Sequence, residues 1–332
     1  REAPGPVLLA LDLAPTTPAA ERLVAGYLAQ PKAEVAVRLA YVRMLNNAQR
    51  FVDAEAQLRV VTRDRPELPG PWLTLGALQL ELRQPRDAQA SLQRFLQVLA
   101  EPAPKSAAPN DVDDDDGDSA ASAGDAGRTQ AWLMLAQAAD MRGDTKAAAS
   151  WLDKVDDPQR ALEVQTRRAT LLARQGKVRE ARALVQQAPE RRPEDLRAKL
   201  LAESQVLREV KRWPEAHAVL VQANERFPGD ADLLYEQAMM AEKASRLDEM
   251  ERVLRRVIEL KPDHHHAYNA LGYSLAERNL RLPEARNLIA KALELAPNDP
   301  FITDSLGWVE YRLGNVPAAL EHLRRAYASR PD

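Results

Sequence analysis

KPDHHHAYNALGYSLAERNLRLPEARNLIAKALELAP, residues 261–297, holds one full interval of an internal repeat. Pro262 and Pro297 bracket it, and prolines recur at the same spacing at Pro193, Pro228 and Pro331. Two further columns keep this register: Ala181, Ala216, Met250, Ala285 and Ala319, then Ala188, Ala223, Val257, Ala292 and Ala326. Small residues seven apart, with leucines between them, are what two crossing helices require: alanine or glycine lets the axes approach and leucine fills the grooves. A pair of short helices cannot bury its apolar face alone, so neighbouring pairs have to stack.

The period of 34–35 residues, the Leu271-Gly272 pair upstream of Ala285 and Ala292, and the proline five residues after the second alanine resemble the tetratricopeptide repeat. The N-terminal half carries the pattern in PWLTLGALQL (Trp72, Leu75, Gly76, then Ala88) and in AWLMLAQAADMRGD (Trp132, Leu135, Ala136, Gly143, Ala148). A fainter unit is anchored by Leu45, Phe51, Ala54, Leu58, Val61 and Pro66. Turn chemistry agrees, with Pro85, Pro214, Pro283 and Pro317 at the starts of the second helices. Gly143, Gly176 and Gly314 mark the ends of the first. The expected fold is all-α, a tetratricopeptide-repeat superhelical solenoid of antiparallel helix pairs with about eight repeats from roughly residue 34 onward.

Composition fits that reading. The 332 residues are 45% apolar and only 5% aromatic, with 13 glycines and a formal charge of −3. Arginines matched by glutamates at helical spacing argue against a nucleic-acid surface. There is no cysteine, hence neither a disulfide framework nor a thiolate nucleophile. No apolar run is long enough to span a membrane. The expected organisation is an N-terminal helical segment or partial repeat over 1–33, repeat units over 34–102, an acidic disordered insert over 103–127 and a second array over 128–332. The insert, rich in aspartate, proline and small residues, has little to bury. Asp111, Asp113 and Asp115 alternate like calcium-loop ligands, yet Asp116 stands where such a loop needs glycine and Ser122 where it needs glutamate.

No metal-hydrolase, P-loop or nucleophile-elbow motif is present, so no catalytic, cofactor or metal residue is assigned. His264, His265 and His266 are consecutive and fan around a helix instead of sharing one face. His217 and His322 read as surface or interhelix residues, more than a hundred residues apart and without carboxylate partners at ligand spacing. What remains is binding. In tetratricopeptide arrays the groove is lined by helix A positions 2, 5, 9, 12 and 13, and the resemblance carries these onto Tyr235, Met239, His266, Asn269, Tyr273, Phe301, Asp304, Trp308, Tyr311 and Arg312. Rings with a polar tip are usual anchors of protein sites. The lysine and asparagine pattern of the chaperone-tail clamp is not reproduced.

From His266 to Tyr327 the sequence is similar to proteobacterial outer-membrane tetratricopeptide lipoproteins, through ALGY, LIAKALELAPNDP and DSLGWVEYRLGN. The resemblance implies a periplasmic adaptor whose partners are proteins or extended peptide segments, including a carboxyl-terminal processing protease and cell-wall hydrolases. Membrane attachment would be through a lipid anchor outside these residues. A scaffold of pilus, secretion or polysaccharide-export machinery is the alternative, and the regulatory region of a larger enzyme is the alternative of another class. The start at Arg1 and the repeat-closing Pro331 lead to the expectation that the native protein extends further.

Overall fold

The computed structural model describes residues 4–13, 17–30, 33–101 and 116–329. The fold is all-α, with no strand among them. The chain divides into two compact units, 1–164 and 165–332. Unit 1 holds α1 (Pro4–Leu13), α2 (Pro18–Leu28), α3 (Val35–Asn47), α4 (Phe51–Asp64), α5 (Pro69–Glu81), α6 (Pro85–Ala100), α7 (Asp116–Met141) and α8 (Thr145–Leu152). The division falls within α9 (Ala161–Arg174). Unit 2 continues with α10 (Val178–Gln186), α11 (Pro193–Glu209), α12 (Trp213–Arg226), α13 (Ala231–Lys243) and α14 (Leu247–Leu260). It ends with α15 (His265–Glu277), α16 (Leu282–Leu295), α17 (Pro300–Arg312) and α18 (Val316–Ser329).

From α3 onward the helices alternate as A and B members of eight tetratricopeptide-type pairs, and each A helix ends in the same way. Gln49, Arg83, Gly143, Gly176, Lys211, Ser245, Asn279 and Gly314 all take positive φ at the A-to-B turn. The N–H of the next residue then donates to a carbonyl five back, as in Gln84 to Gln79 (2.7 Å), Arg246 to Ala241 (2.8 Å) and Asn315 to Glu310 (2.9 Å). This is the Schellman closure, which satisfies carbonyls the helix leaves open. The interval between these turns is 33–35 residues everywhere except from Arg83 to Gly143, where it is 60.

Packing follows the small-residue columns. Ala54, Ala88, Ala148, Ala181, Ala216, Met250, Ala285 and Ala319 are all buried. Facing them on the A helices are Val42, Gly76, Ala136, Ala169, Ser204, Ala238, Gly272 and Gly307, also buried. A Cβ on Gly272 would lie 2.6 Å from Ile289 Cγ1 and 2.8 Å from the Ala285 carbonyl oxygen, so the helices meet there at backbone distance. In unit 1, Leu45, Leu58 and Leu75 belong to one apolar cluster and Leu92, Phe95 and Leu135 to another. In unit 2, Leu207, Leu220 and Leu233 belong to one, and Leu254, Leu271, Ile289 and Val309 to a second.

Three differences from the sequence reading have physical causes. The acidic stretch expected to be disordered to residue 127 is helical from Asp116, its alanine-rich second part forming the first turns of α7; residues 102–115, with the calcium-like aspartates, lie outside the described residues. Pro193 is the first residue of a 17-residue α11, whereas Pro228, Pro262 and Pro297 each stand two residues before an N-cap. It therefore does not occupy their structural position. Lastly, His217 does have a carboxylate partner: it is 3% exposed and its Nε2 lies 2.9 Å from Glu249 Oε1, from the B helix of the following pair.

Candidate binding groove

Within unit 2 the A helices α11 and α13 wall a cleft of about 780 Å³. Leu201, Gln205, Arg208 and Glu209 supply one wall; Tyr235, Glu236, Met240 and Lys243 supply the other, with Trp213, His264 and His266 at its margins. Tyr235 packs against His264, ring centroids 4.8 Å apart, and burial, then the charges of Glu236 and Glu242, push its hydroxyl above the usual tyrosine range. The charges of the cleft are largely paired within the chain: Arg197 with Asp230 (2.7 Å), Arg208 with Glu236 (2.7 Å) and Glu209 with Arg174 (3.0 Å).

The histidine triplet has a local structural role. His264 is the N-cap of α15, its Nδ1 accepting from the Ala267 N–H at 3.2 Å. The equivalent caps of α13 and α17 are Asp230 and Asp299, each accepting from two backbone N–H groups. Burial holds the His264 and His266 imidazoles below the ordinary histidine range. Among the described residues no group of three histidine or acidic side chains adopts a metal-binding arrangement.

Further along, α15 and α17 carry a row of rings. Tyr273 is 39%, Tyr311 54% and Phe301 61% exposed. Trp308 is half-buried, stacks on Tyr311 at 5.6 Å and has its indole Nε1 enclosed without an acceptor. The Arg312 guanidinium lies 5.4 Å over the Trp308 ring and donates to the Glu277 carbonyl oxygen at 3.3 Å. Asn269 is half-buried with its Oδ1 enclosed and unpartnered, and Asp304 is exposed. Burial first, then the carboxylates of Glu277 and Asp304, raise the Tyr273 hydroxyl.

Of the sequence-assigned residues, Tyr235 and His266 line the cleft. Met239 instead packs against the apolar clusters of unit 2, and its neighbour Met240 reaches the cleft. Tyr273, Trp308, Tyr311, Arg312, Phe301, Asp304 and Asn269 lie beyond the cleft on α15 and α17. The α11 wall was missed because groove columns were read only from α13, α15 and α17. Counting back 34 residues from Tyr235 and Met239, the interval separating Ala216 from Met250, gives Leu201 and Gln205.

A tetratricopeptide repeat family model matches residues 250–300. That segment carries a tetratricopeptide repeat. The TPR repeat-containing protein PA4667 of Pseudomonas aeruginosa is 32% identical over 202 residues, which make up 61% of this chain and 34% of the relative. The chain thus spans about a third of the length of this curated relative. Among solved structures, a MamA RS-1 ArsTM double mutant matches with a TM-score of 0.42 at 18% identity, covering 52% of this chain and 95% of its own. MamA from Desulfovibrio magneticus RS-1 matches with a TM-score of 0.35 at 19% identity, covering 51% and 96%.

Proposed function

We propose that this tetratricopeptide-repeat protein acts by binding rather than by catalysis, holding extended segments of partner proteins on the A-helix face of unit 2. The observation that carries the proposal is the row of exposed rings, Tyr273, Phe301 and Tyr311, on groove positions where the core does not need them. Rings of this size have low conformational entropy and large contact area, which suits them to anchor a partner chain. The cleft between α11 and α13 supports the same reading, since it offers a concave continuation of that face within the unit.

The specific role we propose is that of a periplasmic adaptor at the outer membrane, bringing substrates such as cell-wall hydrolases to a carboxyl-terminal processing protease. It rests on the resemblance of residues 266–327 to the lipoprotein group. The immobilised chain is expected to retain a serine protease of that class from bacterial envelope extract. The Tyr273→Ala/Phe301→Ala/Tyr311→Ala variant, altered at exposed positions, should retain at least about tenfold less while keeping its helical circular dichroism, its melting lowered only by about the loss of the Tyr311–Trp308 stack. Equal retention by both proteins refutes the groove assignment. Recovery of a secretin or polymerase in place of the protease replaces the adaptor role with that of an assembly scaffold.

A further inference from the structure

Helix A positions 9 and 13 are one turn apart on the same face, and unit 2 fills them in three different ways. In α13 they are Met239 and Lys243, in α15 Tyr273 and Glu277, in α17 Trp308 and Arg312. In α17 the chain supplies its own cation to the ring, the Arg312 guanidinium lying over Trp308. In α15 the same position is a carboxylate, and among the described residues no cation covers the exposed Tyr273 ring.

The surroundings of Tyr273 complete the contrast. Its hydroxyl donates to the Glu277 carboxylate and feels the charges of Glu277, Asp304 and Glu242, which come from three successive A helices. Glu277 and Asp304 form no ion pair among the described residues, and Glu242 has only its sequence neighbour Lys243, at 3.7 Å. The remaining nearby cation, Arg312, is engaged by the indole ring and by the Glu277 backbone carbonyl. An exposed ring whose hydroxyl lies among carboxylates attracts a cation both through its quadrupole and through their charge.

We infer that the Tyr273 face of α15 takes a lysine or arginine side chain of an extended partner peptide, set on the ring and held by Glu277 and Asp304. This deepens the proposed function and rests on it. The charge-paired cleft between α11 and α13 then receives an uncharged side chain of the same peptide. The cleft lies between α11 and α13, about one and a half helix spacings from α15; at about 8–10 Å per spacing and about 3.3 Å per residue of extended chain, the two side chains are separated by about three to five residues.

A random peptide display library panned against the full chain tests this, followed by fluorescence polarisation of the enriched peptides with the wild type and with Tyr273→Ala and Glu277→Gln/Asp304→Asn variants. The expected selection is a lysine or arginine about three to five residues from an apolar residue. Changing that cation to glutamine in the peptide should weaken wild-type binding about tenfold, and about twofold or less against the Glu277→Gln/Asp304→Asn variant. Selected peptides that bind through Tyr273 without any basic preference overturn the inference and leave the groove reading standing. A basic preference that persists undiminished in the carboxylate variant also overturns it. Peptides indifferent to Tyr273→Ala, or no selection at all, refute the groove reading and this inference together.

Discussion

Replacing His264 with aspartate isolates what one helix cap contributes beside the groove. At neutral pH the change gains and loses comparable amounts. Aspartate at this position accepts from two backbone N–H groups in α13 and α17, whereas His264 accepts from one; the extra bond is worth roughly 0.5–1 kcal/mol. Against it stands the lost packing of His264 on Tyr235, also roughly 0.5–1.5 kcal/mol.

Acid separates the two proteins. A protonated imidazole has no lone pair on Nδ1, so the Ala267 N–H keeps only the His264 carbonyl oxygen, at 3.0 Å, and a cation sits at the N-terminus of α15, next to Lys261 and His266 and partly offset by Asp232. The lost cap is worth about 1 kcal/mol and the unfavourable dipole contact about 0.3 kcal/mol at this half-exposed site. Because burial depresses the folded-state pKa of His264, the unfolded chain binds the proton first. Stability is therefore full well above pH 6.5, falls as the pH drops through that value, and levels off below the depressed folded value. Amide hydrogen exchange at Ala267 reads this locally, where a global melt of a repeat protein would dilute it. Corrected for intrinsic exchange, protection should fall about three- to fivefold from pH 7.5 to 5.5 in the wild type and stay nearly level in His264→Asp. Parallel pH profiles in the two proteins would refute the assignment of the cap.

Gly272→Ala should destabilise unit 2 by about 2–3 kcal/mol in urea denaturation, because the added carbon meets a backbone carbonyl oxygen that cannot give way. Gly26→Ala, inside α2 with no atom near the new methyl, should instead gain about 1 kcal/mol; a loss at both sites would show that helix contact is not the cause. At the A-to-B turns, Lys211→Gly should stabilise by up to about 1 kcal/mol and Gly314→Ala should destabilise by about the same. Opposite shifts in the urea midpoints check this, and shifts of the same sign would contradict it.

The helix pairs were legible because their signal is steric: a small residue must stand wherever axes cross closely, and that need recurs with the period. The turns were legible only where glycine fills them, as at Gly143, Gly176 and Gly314. Asn279 is of a type that tolerates the left-handed conformation, but Gln49, Arg83, Lys211 and Ser245 adopt it without a residue-type signature, because main-chain hydrogen bonds outweigh a cost of about 1–2 kcal/mol. For the groove, the columns read from the family placed Tyr235 and His266, which line the cleft, while the opposite wall on α11 lay in a unit whose columns were not read. The His217–Glu249 bond crosses between B helices 32 residues apart, a separation at which pattern within one helix carries no information. The exposure of Tyr273 and Phe301 follows from which face their helices leave uncovered, a tertiary property.

Left-handed closure of every hairpin bears on where this chain can change length. The main-chain bonds at the A-to-B bends fix a set number of residues, so an insertion there would break both helix ends at once. The joints between one hairpin and the next are held by a looser main-chain turn, the N–H donating three residues back, as from His264 to Lys261 and from Asp299 to Ala296. The 26 residues by which the Arg83–Gly143 interval exceeds the usual 34 fall, accordingly, outside the bends, at the joint between α6 and α7 and in the lengthened start of α7. Joints of this kind are the natural places to splice in a tag, a tether or a foreign module.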